Sequence, residues 1–236
     1  MVWIVLVIIA LVAAAFVEGW KNGLRTIEVL DILMHPIVYF AKKGAGTEKF
    51  LYHELRHAGV PKKQIFRNVY VPTYDGKYTE IDVLVLSKKG FLVFECKNYS
   101  GKVYGDGRAT RWHEYIGGKK YDFLNPQIQN AGHIKYLLKY FRGRLRGLTP
   151  QENLPAKSFV VFSRAGDLHL KNLREDVYFL QKEGDFLRTY RGFRDAPVMA
   201  KNFKTMLIEL DKLSHPPREI KLQHIVEVRG MKNKVK

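Results

Sequence analysis

The sequence predicts an α/β fold in which helices flank one central mixed β-sheet. Three observations support this class. Apolar residues recur at helical spacing in three separate stretches, β-rich segments lie between the first and the last of them, and a 46% hydrophobic content with many aromatic residues is typical of a folded chain. With 236 residues, the chain can bury the core of one domain after a short N-terminal segment is set apart.

One helix and three antiparallel strands are expected in the first part of the domain. An apolar stripe that begins after Thr47 predicts a helix ending at Gly59. The members of that stripe are Phe50, Leu51, Leu55 and Ala58. Three β-rich stretches are the predicted strands, namely residues 64–71, 78–87 and 90–99. A two-residue turn, Lys88-Lys89, joins the last two strands into a hairpin.

A glycine-rich meander, two strands and two helices complete the predicted domain. Asn125 predicts a helix N-cap, with Pro126 at the first helical position and an apolar stripe that runs to Phe141. The remaining elements are predicted strands over residues 157–163 and 176–180 and a helix over residues 198–213. The predicted domain therefore spans residues 44–215, and residues 216–236 are expected to form a basic C-terminal strand or tail.

The first 17 residues contain no charged side chain, and Lys21 and Arg25 follow them. A helix of this length measures about 25 Å, near the lower limit for crossing a bilayer. A cleaved secretory signal is the alternative, but such signals begin with basic residues that are missing here. We therefore predict a transmembrane anchor over residues 1–17 and a juxtamembrane connector over residues 18–43. By the positive-inside rule, the chain would be a single-pass protein of the cell membrane with its C-terminal domain in the cytoplasm.

Charge and cysteine content restrict the function classes. Forty Lys and Arg residues against 23 Asp and Glu residues give a net charge of +17, which favours a polyanionic partner, either nucleic acid or an anionic membrane surface. Purely solvating charge is the alternative. Cys96 is the single cysteine, so the chain can form neither an intrachain disulfide nor a cysteine-based zinc site. We expect Cys96 to pack in the core, since the sequence offers it no oriented histidine partner.

The hairpin carries the residues best suited to catalysis. If Ser87 pairs with Gly90 across the turn, Asp82 lies opposite Glu95, and Lys97 shares the face of Glu95. Two opposed carboxylates destabilise a sheet, whereas a divalent cation between them would create a binding site, and their hard oxygen ligands suit Mg²⁺ or Mn²⁺. A solvated charged face is the alternative. Residues 91–94 are apolar on both faces, however, which indicates a buried central strand.

Several separated motifs in the sequence resemble one family. They are Gly44-Ala45-Gly46-Thr47-Glu48, Thr79-Glu80-Ile81-Asp82, Phe94-Glu95-Cys96-Lys97-Asn98-Tyr99-Ser100-Gly101, Trp112 and Asn125-Pro126-Gln127-Ile128-Gln129-Asn130. Together they resemble the nuclease-related domain (NERD) family, which is similar to the PD-(D/E)xK, restriction-endonuclease-like superfamily. The resemblance covers about residues 44–165. In one departure, Thr47 stands where the family usually has glycine before the helix acid.

The resemblance implies a restriction-endonuclease-like core that hydrolyses phosphodiesters with Mg²⁺ or Mn²⁺. Asp82 and Glu95 would bind the metal, and Lys97 would be the catalytic lysine. Glu48 on the first helix would be an accessory acid, and Gln129 would complete the site from the later helix. From the residues alone, Glu48 also fits a carboxylate favoured by the helix dipole, and Gln129 fits an ordinary surface residue. His133, four residues after Gln129, is expected to be structural or close to a phosphate.

A basic cluster on and after the later helix is the predicted phosphate-tracking surface. It consists of Lys135, Lys139, Arg142, Arg144 and Arg146. A solvated helix face and contact with a membrane are the alternatives. The sequence thus predicts a membrane-anchored, metal-dependent nuclease-like protein whose partner is nucleic acid, DNA in preference to RNA. A module of the same fold that binds nucleic acid or a partner without cleavage, and a lipid-binding scaffold, remain open.

Overall fold

Two β-sheets and five α-helices form the part of the chain that the structure describes. The computed structural model describes residues 45–145, 148, 152–163 and 165–233. In chain order the elements are α1 (Ala45–His57), a short 3-10 helix (Lys62–Gln64), β1 (Ile65–Pro72), β2 (Tyr78–Ser87), β3 (Gly90–Cys96), β4 (Lys102–Asp106), β5 (Arg111–Ile116), β6 (Lys119–Leu124), α2 (Pro126–Arg142), β7 (Ala156–Val161), β8 (Leu168–Lys171), β9 (Val177–Leu180), α3 (Asp185–Arg191), α4 (Pro197–Ser214) and α5 (Arg218–Asn233).

The first sheet is mixed and has the strand order β1-β2-β3-β7-β9. The strands β1, β2 and β3 pair antiparallel, while β3, β7 and β9 pair parallel. All seven residues of β3 are buried, as expected for the central strand of a sheet covered on both faces. The prediction of a mixed sheet flanked by helices is therefore confirmed.

Helices cover both faces of this sheet because side chains alternate along each strand. On one face, Leu84 and Leu86 of β2 pack with Leu137 of α2 and Met206 of α4. On the other face, Val83 and Val85 of β2, with Phe94 of β3, pack against Leu51 and Leu55 of α1 and Phe186 of α3. Burial of each such side chain stabilises the fold by about 1.5–3 kcal/mol. Asp82, Glu95 and Lys97 thus lie at one end of two strands that are packed on both faces.

A second sheet, with the order β6-β5-β4-β8, corrects the prediction of a single sheet. The glycine-rich meander forms β4, β5 and β6, which pair with one another and with β8 instead of joining the first sheet. Trp112 of β5 is fully buried and packs against Phe162 and Phe179, which links the two sheets. β8 has only four residues and no fully buried position, so its sequence carries no clear strand pattern.

The C-terminal segment is helical, which corrects the prediction of a strand or tail after residue 215. Helix α5 buries parts of Ile220, His224 and Glu227, residues spaced by three or four as on one helix face. The predicted anchor over residues 1–17 and the connector over residues 18–43 lie outside the described residues. Within the described ranges, no helix has the length and apolar content that a membrane crossing requires.

Candidate active site

The hairpin register is the one predicted, and the ladder stops at the candidate site. Ser87 pairs with Gly90, and the pairs continue to Val83 opposite Phe94. Asp82 and Glu95 would be the next pair, but they lie beyond the last paired residues. The Asp82 carboxylate instead accepts a hydrogen bond from the backbone N–H of Cys96 at 2.7 Å. The predicted backbone pairing of Asp82 with Glu95 is therefore absent from the β2–β3 pairs, and the hydrogen bond from Cys96 N–H to the Asp82 side chain takes its place at the end of the ladder.

Glu95 is held on both of its carboxylate oxygens. Its Oε1 lies 2.6 Å from Nζ of Lys97, and its Oε2 lies 3.1 Å from Nε2 of His133. Since an ionised carboxylate only accepts, Nε2 of His133 is the donor in the second bond. In the neutral ring Nδ1 then accepts from the hydroxyl of Thr79, 2.7 Å away. Glu95 itself is only 2% exposed, so these bonds replace its water shell.

Both members of the ion pair are stabilised in their charged forms. Burial acts to raise the pKa of Glu95, but the charge of Lys97 and the hydrogen bond from His133 outweigh it and leave that pKa below its ordinary value. Burial likewise acts to lower the pKa of Lys97, and the charge of Glu95 reverses this, so that the pKa is raised. Lys97 is therefore a cation at neutral pH and suits charge stabilisation better than proton abstraction.

Asp82 has the opposite electrostatic environment. Burial raises the pKa of Asp82 well above its ordinary value, and the negative charges of Glu95 and Glu48 raise it further. The N–H of Cys96 and the charge of Lys97 act in the other direction without cancelling this effect. The structure therefore brings Glu48, in the first turn of α1, close enough to act electrostatically on Asp82.

Helix α2 contributes Gln129 from its first turns. Asn125 caps the helix by accepting the N–H of Gln127, and the next residue, Pro126, begins it, as predicted. Oε1 of Gln129 accepts a hydrogen bond from Nζ of Lys97 at 3.0 Å. The predicted site residues Glu48, Asp82, Glu95, Lys97 and Gln129 thus gather at one end of the first sheet.

Thr47, where the family usually has glycine, has a definite partner. Its side chain is fully buried, and its hydroxyl lies 3.4 Å from the backbone oxygen of Lys97 and 3.0 Å from Oγ of Ser163. The hydroxyl therefore ties the start of α1 to the end of β3. This contact fixes the backbone next to Glu48.

A second polar cluster, formed by Tyr70, Glu80 and His224, lies beside Asp82 and was not predicted from the sequence. Burial raises the pKa of Tyr70 first, and a hydrogen bond with Glu80 raises it further. The ring of His224 in α5 meets Tyr70 edge-on, and its Nε2 lies 3.6 Å from Glu80. Glu80 is two residues before Asp82 on β2 and therefore shares its face, so the strand period could have predicted Glu80 as a member of this cluster. No sequence signal connects His224 with this strand.

Cys96 is a packing residue, which confirms the prediction. The side chain is 9% exposed and belongs to the cluster under α1. Burial, followed by the negative charges of Asp82 and Glu48, raises the pKa of the thiol well above its ordinary value. A thiol of this kind is a poor nucleophile.

The described residues of the predicted phosphate-tracking surface are exposed, and three of them, Lys139, Arg142 and Arg144, contact other side chains of the protein. Nζ of Lys139 lies 3.3 Å from the ring centroid of Tyr74, and Arg142 donates to Asn153. Arg144 stacks on the ring of Tyr140 and lies near Glu209. Lys135 is exposed on the same helix, and Arg146 lies outside the described residues.

Among the described residues of the site, the carboxylates are the charged oxygen donors that suit a hard cation. Among the described residues, no group of three His, Cys, Asp or Glu side chains is arranged to hold a metal ion. Asp82 with Glu95 nevertheless offers the oxygen donors that Mg²⁺ and Mn²⁺ prefer. Burial is the main cause of the raised pKa of Asp82, and the negative charges of Glu95 and Glu48 add a repulsion that a cation would relieve.

The sheet and its acid–lysine group agree with the nuclease class that the motifs predict. The model of the nuclease-related domain family matches residues 43–163, just over half of the chain. The chain therefore belongs to the nuclease-related domain family, and a restriction-endonuclease-like placement is consistent with that membership.

One curated relative is similar over part of its length. It is an uncharacterised protein of Bacillus anthracis, 40% identical over 93 residues, which are 39% of this chain and 44% of the relative. The chain thus matches less than half of that relative. No solved structure matches this chain.

Proposed function

We propose that this protein hydrolyses phosphodiester bonds of nucleic acid in a metal-dependent reaction, with DNA as the preferred substrate. The observation that carries the proposal is the buried Glu95–Lys97 pair beside Asp82, at the point where β2 and β3 cease to pair. Charges at the end of a central strand are costly unless they have a partner or a task. The net charge of +17 supports a polyanionic substrate.

Asp82 and Glu95 are the residues that would hold a divalent ion, Mg²⁺ or Mn²⁺. Such an ion supplies an activated water at neutral pH and charge neutralisation on the phosphate. Each oxygen of an ionised carboxylate has two lone pairs, so Oε1 and Oε2 of Glu95 can each bind an ion besides their present partner, and Asp82 keeps one oxygen besides the Oδ2 that accepts from Cys96. The oxygen donors of Asp82 and Glu95 therefore suit a divalent ion such as Mg²⁺ or Mn²⁺.

Lys97 and Gln129 would act on the substrate phosphate. Nζ of Lys97 carries three protons, and Glu95 and Gln129 accept two of its bonds. The third can point to a phosphate oxygen, where a fixed cation stabilises the charge that develops during hydrolysis. Gln129 orients this ammonium group, and Glu48 adds negative charge that strengthens cation binding near Asp82.

The test is cleavage by the purified 236-residue chain of labelled DNA and RNA, single-stranded and duplex, with Mg²⁺, with Mn²⁺ and with EDTA. Cleavage with metal and none with EDTA supports the proposal. Asp82→Asn should abolish it, and so should Lys97→Met when it is assayed under conditions in which circular dichroism shows that variant to be folded. The matched control is Asp75→Asn, an exposed acid in the β1–β2 turn that pairs with Lys77. Activity of Asp82→Asn equal to that of the unaltered chain would refute the mechanism.

A second candidate, binding of nucleic acid without cleavage, is favoured by one observation. Both oxygens of Glu95 already have partners, Lys97 and His133, as in a structural ion pair. Calorimetric titration with Mn²⁺ separates the two candidates. Binding that is lost in Asp82→Asn and in Glu95→Gln supports hydrolysis, whereas no binding, together with oligonucleotide affinity, supports the second candidate.

We also propose that residues 1–17 anchor the chain in the membrane with the domain in the cytoplasm, on the basis of the uncharged segment and the cations after it. Carbonate extraction of membranes tests the anchor. The full chain should remain in the pellet, and release by carbonate would contradict an integral segment. Protease protection in intact cells tests the orientation.

A further inference from the structure

The outer face of the second sheet carries a stack of three rings from three strands. The ring of Tyr104 lies 4.4 Å from that of His169 and 5.5 Å from that of His113, with interplanar angles of 10° and 7°. Tyr104 pairs with His113 across β4 and β5 and with His169 across β4 and β8, so the three rings form one row. Tyr115 meets Tyr104 edge-on beside this row.

The stack is open at the edge of the sheet. β8 is the last strand of the sheet order, and His169 is exposed. Within the described residues, the ring contact of His169 is with Tyr104 alone. The other face of the imidazole is therefore available to a further flat ring, in the way that nucleobases stack on protein aromatics.

A groove of about 640 Å³ runs beside the stack. Its lining includes Tyr104, Asp106, Arg111, His113, His169 and Lys171. The size falls within the range of ligand pockets. Basic side chains lie on this face and in the turns beside it, namely Lys102, Arg108, Arg111, Lys120 and Lys171. They outnumber the acids Asp106, Asp122 and Asp167, and the pairs between the two sets are exposed and weak.

The sheet is fixed to the candidate active site. Glu114 of β5 is buried, and its Oε1 accepts the backbone N–H groups of Ser100 and Gly101, in the loop that leaves Lys97. β4 begins directly after this loop. A strand bound on the sheet would therefore be held by a rigid neighbour of the catalytic candidates.

We propose that this face binds single-stranded nucleic acid, with a base stacked on His169 and the phosphates beside Arg111 and Lys171. Single strands fit because only unpaired bases expose their flat faces, while a positively charged groove tracks the backbone. That the ligand is nucleic acid rests on the proposed function. The face would hold a single strand beside the candidate active site.

The experiment measures binding in EDTA, so that its result does not depend on hydrolysis. The purified chain is titrated into a labelled single strand of about 12 nucleotides and into the same sequence as a duplex. A parallel titration uses a strand with 2-aminopurine, whose fluorescence falls when the base stacks. We expect the unaltered chain to bind the single strand more tightly than the duplex and to quench 2-aminopurine.

The variants test the stack itself. His169→Ala should weaken binding about fivefold to a hundredfold and abolish the quenching, since one base–aromatic stack is lost. His169→Phe keeps a ring and should restore most of both signals. Tyr121→Ala is the matched control, because Tyr121 pairs with buried Glu114 and therefore belongs to the opposite face, where it is 50% exposed. It should change neither signal.

Equal affinity and quenching in His169→Ala and the unaltered chain would overturn the inference, as would preference for the duplex. Either result would leave metal-dependent cleavage untouched. Conversely, binding that depends on His169 in a chain that cleaves nothing would refute the proposed hydrolysis and retain the stacking surface.

Discussion

Nζ of Lys97 lies 2.6 Å from Oε1 of Glu95, and the two side chains are only 13% and 3% exposed. The pair is therefore an ion pair inside the protein and not a surface contact. Removing two charges from water is costly, and their attraction offsets that cost only while both partners are present. Each residue thus depends on the other for its charged state, as the opposite pKa shifts of the pair indicate.

Replacement of the lysine alone should destabilise the fold strongly. Lys97→Met leaves the buried Glu95 carboxylate without its cation, and we expect the free energy of unfolding to fall by about 3–5 kcal/mol. The double variant Lys97→Met/Glu95→Gln removes both charges and should recover much of the loss. Urea unfolding of the four proteins in the cycle measures the coupling.

Lys102→Met is the control for this cycle. Lys102 pairs with Asp167 at 3.4 Å, but both side chains are more than half exposed, so the loss should stay below about 1 kcal/mol. A loss in Lys97→Met no greater than that in Lys102→Met would contradict a coupled buried pair.

His133 should act on the site through Glu95. His133→Phe removes the donor to Oε2 of Glu95 and leaves that oxygen without its partner. Groups that orient a metal-binding carboxylate are typically worth about tenfold to a hundredfold in metal affinity or activity. We expect the Mn²⁺ concentration that gives half-maximal cleavage to rise by this factor, with a smaller rise in Thr79→Val. His57→Ala, at the exposed end of α1, is the control and should give the unaltered value.

The hairpin could be predicted from the sequence because its determinants are local. A two-residue turn at Lys88-Lys89 sets the register, and the period of two then assigns every side chain to a face. The same logic placed Glu95 and Lys97 on one face. The strand period could not show that β2 and β3 stop pairing at Val83. The hydrogen bond from Cys96 to Asp82 forms only because the two strands diverge after that pair.

The partners of Glu95 are less predictable because they are distant in the chain. His133 is 38 residues from Glu95, and Thr79 is 54 residues from His133. Their convergence requires α2 to lie on the sheet at one particular angle, which packing determines. The second sheet shows the same limit, since β8 pairs with β4 across more than sixty residues.

Gly105 should tolerate no side chain. A Cβ atom there would lie 2.3 Å from the ring of Trp112, the buried residue that links the two sheets. Gly105→Ala must displace this ring, and we expect the unfolding free energy to fall by about 1–3 kcal/mol. The control is Gly132→Ala in α2, where a Cβ meets nothing within 4 Å and should add about 0.4–1 kcal/mol of stability. Thermal unfolding measures both, and equal effects would contradict the steric account.

Asp185 should give the stability of the fold a dependence on acid pH. One of its carboxylate oxygens accepts the backbone N–H groups of Gln181 and Lys182, at 2.9 and 2.8 Å, and the other pairs with Arg188. Burial acts to raise the pKa of Asp185, but these donors outweigh it, so the pKa in the folded state lies below its ordinary value of 3.8.

A lowered folded-state pKa means that the unfolded chain binds the proton more readily. The stability that the Asp185 carboxylate contributes is therefore complete at neutral pH. It is lost as the pH falls through the ordinary value of 3.8 toward the lower folded-state value. Asp185→Asn lacks the titrating group, so the difference in unfolding free energy between the unaltered chain and this variant should shrink in that range. Urea unfolding at a series of pH values measures it, and a difference that stays constant from neutral to acid pH would exclude this role of the charge.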